Sequence, residues 1–525
     1  MNHQRPPGPF IETLEARIAP ASLTITDASV TEDDGAATAM NFSVTLSEAS
    51  TAAVNVVAST MDGTATGGSD YTPINSLLIE FAPGETSKTV TVDVLGDTQR
   101  EATEQFTVVL SNPNGATVDD GTGVGTILDD DPPQQLTVTL SPDGRKATFA
   151  DVDGDAITIK TTKGAFAQDD FFVVASASGG QLERLDIANN SGFKGAKISA
   201  KSKALPGGIG DGFVNVGAID AANVQVGGVK IDGDLGQLDA GSAKQLAVRT
   251  LGMAGETQAP GTIDPFRSVF GSATTPGNVA KLQVGESLRG IVQVFGNLGT
   301  AAIGLDLGIG GSNGDIGLIR AEGNIGSVTV GGSVFSSINQ AEPSGIRAGG
   351  ILGAVTIGFD IGGPRLGGDS AVISALGRLN PASSAAAVAI GAVSIGRDVF
   401  NFAILAGYDM ELSAVNADAS IGTVKVGREW TSSDIVAGTA DVSGDGFGRN
   451  DALIPDGNPG IAARIASITI RNFATGTVAT TTDHYGFTAE VIGKAKIKKV
   501  AVPLTSGKDN VLLDQTNNDF RLVEL

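Results

Sequence analysis

From Leu23 to Leu128, apolar and polar residues alternate in short bursts separated by turn-forming residues, the period of half-buried strands. The bursts predict strands near Leu23–Asp27, Ala39–Leu46, Ala53–Thr60, Ser76–Phe81, Lys88–Leu95, Gln105–Ser111 and Gly123–Leu128. Pro83-Gly84 and Asn114-Gly115 supply turn chemistry between them. Seven short strands in about 110 residues predict an immunoglobulin-like β-sandwich.

Past Pro132-Pro133 the pattern changes. Phe149–Ile159 reads as strand, acidic turn, strand, and a degenerate repeat then appears. Its strong copies are Ile325–Gly332 (IGSVTVGG), Leu352–Gly358 (LGAVTIG), Ile390–Gly396 (IGAVSIG) and Ile421–Gly427 (IGTVKVG), spaced by 27, 38 and 31 residues. Weaker copies begin at Val279 and Ile465, and a second short strand follows several copies, as at Ser333–Ile338, Asp398–Ile404 and Glu429–Ile435. A strand this short cannot bury its apolar face alone. Stacking like faces gives one narrow core, with glycine at corners that need positive φ or close approach. The expectation is an irregular parallel β-helix, a β-solenoid, over about Leu182–Val502; propeller blades would be longer and more even. The chain thus reads as all-β: a leader (1–21), a sandwich (22–131), a linker and short β unit (132–181), a Gly-rich β-solenoid (182–502) and a C-terminal cap or tail (503–525).

Composition narrows the function. Gly is 72 of 525 residues and aromatics only 5%, a balance that suits thin β structure with many tight turns. Cysteine is absent, which excludes disulfides, thiolate metal sites and a cysteine nucleophile. No apolar run is long enough to cross a membrane as a helix. The net charge of −23 is concentrated: between Ser22 and Asp131 there are 18 Asp and Glu residues against only Lys88 and Arg100. That segment repels nucleic acid and anionic membranes and attracts cations.

Strand order places the acids. In an antiparallel sandwich, alternate connections share one end, so the first, third and fifth loops and the exit of the seventh strand lie together. Glu32 falls in the first loop, Asp70 in the third, and Asp97, Glu101 and Glu104 in the fifth; Asp129, Asp130 and Asp131 leave the last strand. Eight carboxylates converging on one pole call for cations. Calcium takes six to eight oxygens in flexible geometry, whereas magnesium keeps several waters and zinc wants His or Cys. Asp62, within an Asp-Gly turn, reads as a turn former, and Asp33 and Asp34 as background charge.

Four ordered motifs then carry a resemblance: Asp62–Tyr71 (DGTATGGSDY), Phe81–Thr86 (FAPGET), Gly96-Asp97 with Glu101 and Glu104, and Ile127–Asp131 (ILDDD). Together they resemble the Calx-beta family, found in the regulatory loop of sodium–calcium exchangers, in one integrin subunit and in many bacterial surface proteins. The likeness covers about Ala21–Asp131. It implies a seven-stranded sandwich and calcium binding at Glu32, Asp70, Asp97, Glu101, Glu104, Asp129, Asp130 and Asp131. The chain departs from the family at Gly96-Asp97-Thr98, where the calcium-sensing exchanger module has a run of acids; this implies fewer ions or weaker binding.

The remaining motifs are weaker. Asp151, Asp153 and Asp155 have the spacing of the start of a calcium loop but lack its following glycine and distal glutamate, so they read as a turn. Asp441, Ser443, Asp445 and Gly446 copy half of such a loop, with Ala452 at the position of its final glutamate. Gly310–Asp315 resembles a single calcium-binding nonapeptide. His3 and His484 are the only histidines, and no nucleophile elbow, HExxH, P-loop or dinucleotide fingerprint stands in a supporting context. Trp430 reads as filling a rung. Leu14–Ala21 resembles the short leader of large planctomycete- and verrucomicrobia-type bacterial surface proteins, and the residues after Ile435 and Asp483 resemble their tails. The expected protein is non-catalytic, calcium-binding, and extracellular or on a bacterial cell surface. It would serve structure or adhesion, with surface polysaccharide or envelope and matrix proteins as partners. The rival is a secreted β-helix lyase or hydrolase acting on polysaccharide, which would show an aligned row of Asp or Arg on one face.

Overall fold

The computed structural model describes residues 21–35, 37–98, 101–131, 135–176, 179–204, 210–252, 267–308, 316–335, 342–362, 371–444, 446–448, 450–476, 484–513 and 520–525. Residues 14–20 of the leader motif, Pro132-Pro133, the segment 310–315, Asp445 and Asp483 lie outside them. The chain divides into two compact units, Met1–Gln134 and Gln135–Leu525.

The first unit is a sandwich of nine strands: β1 (Ser22–Ile25), β2 (Ala28–Thr31), β3 (Ala37–Leu46), β4 (Val54–Asp62), β5 (Leu77–Phe81), β6 (Ser87–Leu95), β7 (Glu104–Asn114), β8 (Thr117–Asp120) and β9 (Thr122–Leu128). One sheet has the order β6-β3-β1-β8 and the other β2-β9-β7-β4-β5. Alternation builds the core: Met40, Phe42, Val44 and Leu46 of β3 and Val90, Val92 and Val94 of β6 face Val54, Val56 and Ala58 of β4 and Phe106, Val108 and Leu110 of β7. The small residue in β9 is steric: a Cβ on Gly125 would stand 2.6 Å from the Phe106 ring.

The pattern predicts seven strands, the first at Leu23–Asp27; the structure ends that strand at Ile25 and adds β2 in the other sheet and β8 at Thr117–Asp120, neither of which the pattern marks. The chain crosses over at Thr26-Asp27 because Asp27 turns its carboxylate to the Val124 N–H (2.8 Å) while Thr26 and Ser43 exchange hydrogen bonds. After the crossing, β2 pairs in parallel with β9, Thr31 opposite Leu128.

The second unit is a large, mostly parallel sheet with its own core. It opens with the antiparallel strands β10 (Thr139–Leu140), β11 (Lys146–Ala150) and β12 (Ala156–Thr161), and its described strands end at Phe520–Glu524. Antiparallel pairing continues through Lys197–Lys201, and from Val214–Val226 onward the chain visits three parallel ladders in turn. The repeat copies form one of them in residue-for-residue register, Ile325, Leu352, Ile390, Ile421 and Ile465 pairing in series. A second ladder joins Gly345–Ala348, Ala371–Ala375, Val399–Ala406 and Trp430–Ala437, and the third joins Val334, Ile361, Val399, Trp430 and Ala474. Glycine at the second repeat position serves close approach: a Cβ on Gly353 would lie 2.2 Å from the Gly326 carbonyl oxygen. Trp430 is fully buried, edge-on to Phe402 and Phe487, and its Nε1–H donates to the Ser433 carbonyl (2.8 Å). Among the described residues, no helix is long and apolar enough to cross a membrane.

Candidate metal centre

The parallel pairing of β2 with β9 makes both strands leave the sandwich at the same end. Glu32 therefore follows β2 directly beside Asp129, Asp130 and Asp131, its N–H donating to the Leu128 carbonyl (3.0 Å). The antiparallel neighbour β7 starts at that end with Glu104, which lies opposite Ile127. Asp70 arrives on the β4–β5 connection. Asp62 accepts from the Gly67 N–H (2.8 Å) and the Tyr71 hydroxyl (2.5 Å), and the Tyr71 ring stacks on Phe106 at 4.2 Å. Those contacts fix the loop, and the Leu95 N–H donating to the Asp70 carbonyl (2.9 Å) holds it against the end of β6. Asp62 is thus a turn residue that positions Asp70.

Seven of the eight predicted acids fall into close groups. Glu32, Asp129 and Asp131 each offer an oxygen within 4.8 Å of the others, and so do Asp70, Glu101 and Glu104. Asp130 joins Asp131 and Asp34 in a third group. Asp97 stands close enough that its charge acts on both Glu32 and Glu101. Asp34 is the residue that sequence reasoning passed over. It contacts the Asp131 carboxyl directly, and its position two residues after Glu32 on the same loop was the available signal.

Crowding has an electrostatic signature. Burial, then the charges of Glu101, Asp129, Asp97 and Asp131, push Glu32 up to about 7. Glu101 and Glu104 are raised by partial burial and then chiefly by the Asp70 charge; Asp131 is raised by burial and by Asp34. Glu32 is only 5% exposed and Asp131 only 7%. Among the described residues of this unit, the ion pair Lys88–Glu85 lies elsewhere, and no cation answers the pole.

The gap in the acidic run has a steric cause. A Cβ on Gly96 would stand 1.6 Å from the Asp33 carbonyl oxygen, so the Glu32–Asp34 loop lies across that position and no acid fits there. The loop that takes the space brings Asp34 into the cluster beside Asp130 and Asp131.

The donors are oxygen only, with no imidazole or thiolate among them. One of their oxygens, Asp131 Oδ2, is buried without a hydrogen-bond partner. Such a set fits a hard divalent cation of calcium's size and charge.

The first unit is therefore a β-sandwich module with an acidic, oxygen-lined cation pole. Residues 20–133 match the family model of the Calx-beta domain, a calcium-binding domain family. Similar solved structures include the apo-form Calx CBD1 domain, at 25% identity over 21% of this chain and 99% of that one, with a TM-score of 0.19. The Calx CBD2 domain matches at 14% identity over 22% of this chain and 91% of that one, TM-score 0.19. A structure titled calcium binding domain CBD12 of CALX1.1 matches at 20% identity over 30% of this chain and 73% of that one, TM-score 0.20. No curated protein matches the chain in sequence.

In the second unit, a groove of about 430 Å³ is lined by Lys425, Arg471, Lys496 and Lys499 together with Ser394 and Thr469. On another ladder, Arg320 and Arg347 sit in adjacent register, flanked by Gln293 and Ser374. Gln293, Arg347 and Ser374 are buried, and the arginines are engaged: Arg320 binds Glu342 (3.1 Å), and Arg347 donates to the carbonyls of Met410 (3.1 Å) and Pro343 (3.0 Å).

Proposed function

We propose that this protein binds calcium at the sandwich pole and serves as an extracellular or cell-surface structural or adhesion protein. The observation that carries the reading is the convergence of nine carboxylates, Asp34 included, on one end of the sandwich with a buried, unpartnered oxygen among them. Glu32, Asp129 and Asp131 would hold one ion and Asp70, Glu101 and Glu104 another, with Asp97 close to both groups and Asp34 and Asp130 closing the outer side. Bound calcium supplies the positive charge that lets these groups ionise together, and it ties four loops that are distant in sequence. Titration calorimetry of the chain with calcium tests this. A saturable heat and a melting temperature that rises with calcium are expected; neither appearing would sink the assignment.

The surface role draws on the leader resemblance and on the second unit. Its parallel ladders repeat one rung on the next, and its basic groove stands out in a chain of net charge −23. That groove suits an acidic polysaccharide. Retention on an acidic-glycan matrix, weakened by Lys425→Ala with Lys496→Ala, is the expected result. Retention unchanged by the pair would remove the groove from the account.

A carbohydrate-active reading draws on the aligned Arg320 and Arg347. Their engagement with Glu342 and backbone carbonyls favours a structural role. Turnover of acidic glycans that is lost in Arg320→Ala would restore the enzymatic reading.

A further inference from the structure

We propose that the hairpin turn bearing Asp151, Asp153 and Asp155 is a second cation site, in the other unit of the chain, suited to a hard divalent ion such as calcium. The strands β11 and β12 close on each other at Ala150 and Ala156, leaving the five residues Asp151–Asp155 as the connection. The three aspartates each offer an oxygen within 4.8 Å of the others. Part of this is turn chemistry: Asp151 Oδ1 accepts from the Asp155 N–H (2.7 Å), and Gly154 takes φ +89°.

Asp155 goes beyond what a turn needs. It is only 1% exposed. Its Oδ2 accepts from the Ser202 hydroxyl (3.0 Å) and the Gly212 N–H (2.8 Å), whereas its Oδ1 is buried with no hydrogen-bond partner. Among the described residues, no lysine or arginine forms an ion pair with any of the three carboxylates. A buried carboxylate oxygen without a donor is strongly disfavoured, and a cation shared with Asp151 and Asp153 is the missing partner.

The surrounding chain closes on the carboxylates. A Cβ on Gly210 would stand 1.8 Å from Asp155 Oδ1, so only glycine lets this backbone pack directly against the Asp155 carboxylate. Directly after it, the Asp211 N–H donates to Asp153 Oδ2 (3.0 Å) and the Gly212 N–H to Asp155. The carboxylates thus lie between the hairpin and the segment that leads into the long strand Val214–Val226. An oxygen-only set of this charge, without imidazole or thiolate, is calcium's chemistry rather than zinc's. An ion here would fasten the antiparallel end strands to the parallel stack, where a repeat array needs a cap.

The test uses the full chain with its sandwich pole disabled by Glu32→Gln, Glu104→Gln and Asp131→Asn. After dialysis against calcium, this variant is expected to retain one ion per chain, and adding Asp153→Asn should abolish it. Calcium should also slow hydrogen exchange at the Asp211 and Gly212 amides by about tenfold, a local opening effect that Asp153→Asn removes. Asp153 is half-buried and its substitution spares the core; Asp155→Asn is the companion if it folds. A pole-disabled chain that holds no calcium, or one whose calcium is indifferent to Asp153→Asn, overturns the proposal. Loss of calcium only on pole substitution would leave the sandwich reading standing and refute this one. Loss only with Asp153→Asn would do the reverse.

Discussion

The substitution Glu32→Gln separates a cation ligand from an ordinary buried acid, because only for a ligand does its effect on stability depend on metal. Glu32 is raised from 4.5 to about 7, first by burial and then by Glu101, Asp129, Asp97 and Asp131. A carboxyl whose folded value lies above its unfolded one favours the fold fully below about pH 4.5 and loses that contribution as pH rises through about 7. Without calcium at pH 8, keeping Glu32 ionised therefore costs up to about 3 kcal/mol, and roughly half that once the open side of the pole screens the charges. Glutamine mimics the protonated form and removes the cost. In chelator at pH 8, Glu32→Gln should melt several degrees above the parent, since about 1 kcal/mol moves a domain of this size by about 4–8 °C. At pH 4 the two should coincide.

Calcium takes most of that advantage away. The ion selects the ionised carboxylates, so its affinity should rise from pH 5 to pH 8 with release of a proton. The variant lacks one charged ligand; a tenfold weaker affinity would forfeit about 1.4 kcal/mol of calcium-linked stability. The assay is thermal unfolding of the full chain followed by circular dichroism and tryptophan fluorescence together. Trp430, the only tryptophan, reports the second unit, so the transition silent in fluorescence belongs to the sandwich. Equal destabilisation of Glu32→Gln in chelator and in calcium would refute the reasoning and make Glu32 a structural acid.

Three further outcomes are expected. Gly96→Ala places a Cβ 1.6 Å from the Asp33 carbonyl and should cost about 1–3 kcal/mol while displacing Asp34, so calcium titration should show weaker binding. Trp430→Ala leaves a cavity between Phe402 and Phe487 and should destabilise the second unit by about 3–5 kcal/mol in denaturant melts, with the sandwich transition unmoved. Tyr71→Phe removes the hydroxyl that holds Asp62 below its ordinary value; the Asp62 carboxyl should return upward in an NMR titration, and in the parent the Tyr71 hydroxyl should titrate only near about 12.

Period-two alternation made the sandwich legible, because Phe42, Val44, Val92 and Phe106 each point to a core that only one register can fill. The switch at Asp27 was hidden. It depends on a carboxylate meeting Val124, a partner 97 residues away that local patterning cannot show. Strand order alone carries the predicted acids to one end, where seven of the eight lie in close groups, while Asp34, read as background charge, joins them because the bare Cα of Gly96 admits its loop. In the second unit, the repeat gave the paired copies at Ile325, Leu352, Ile390 and Ile421 directly. Val334, Val399 and Trp430 of the third ladder fall in the second short strands read after the copies, whereas Gly345–Ala348 and Ala371–Ala375 of the second ladder are too short and too fully buried to leave a period.

An acidic chain of this kind uses carboxylates in two physically distinct ways, and partners tell them apart better than sequence spacing does. Along one corner of the parallel ladders, Asp306 accepts from the Ser333 N–H (2.6 Å), Asp360 from the Asp398 N–H (2.9 Å), and Asp398 from the Glu429 N–H (3.0 Å). Arg397 faces Asp360 at 3.6 Å and Arg428 faces Asp398 at 3.3 Å. Each step of that row answers a carboxylate with the next backbone N–H, and basic residues answer part of the charge, so the row asks for no ion and serves register. At the sandwich pole and at the Asp151–Asp155 turn, carboxylates crowd together with no basic side chain paired to them among the described residues, and each place buries a carboxylate oxygen, Asp131 Oδ2 or Asp155 Oδ1, that no donor reaches. Removing calcium should therefore loosen these two places and leave the corner row intact, since only the former depend on a charge that the chain itself does not supply.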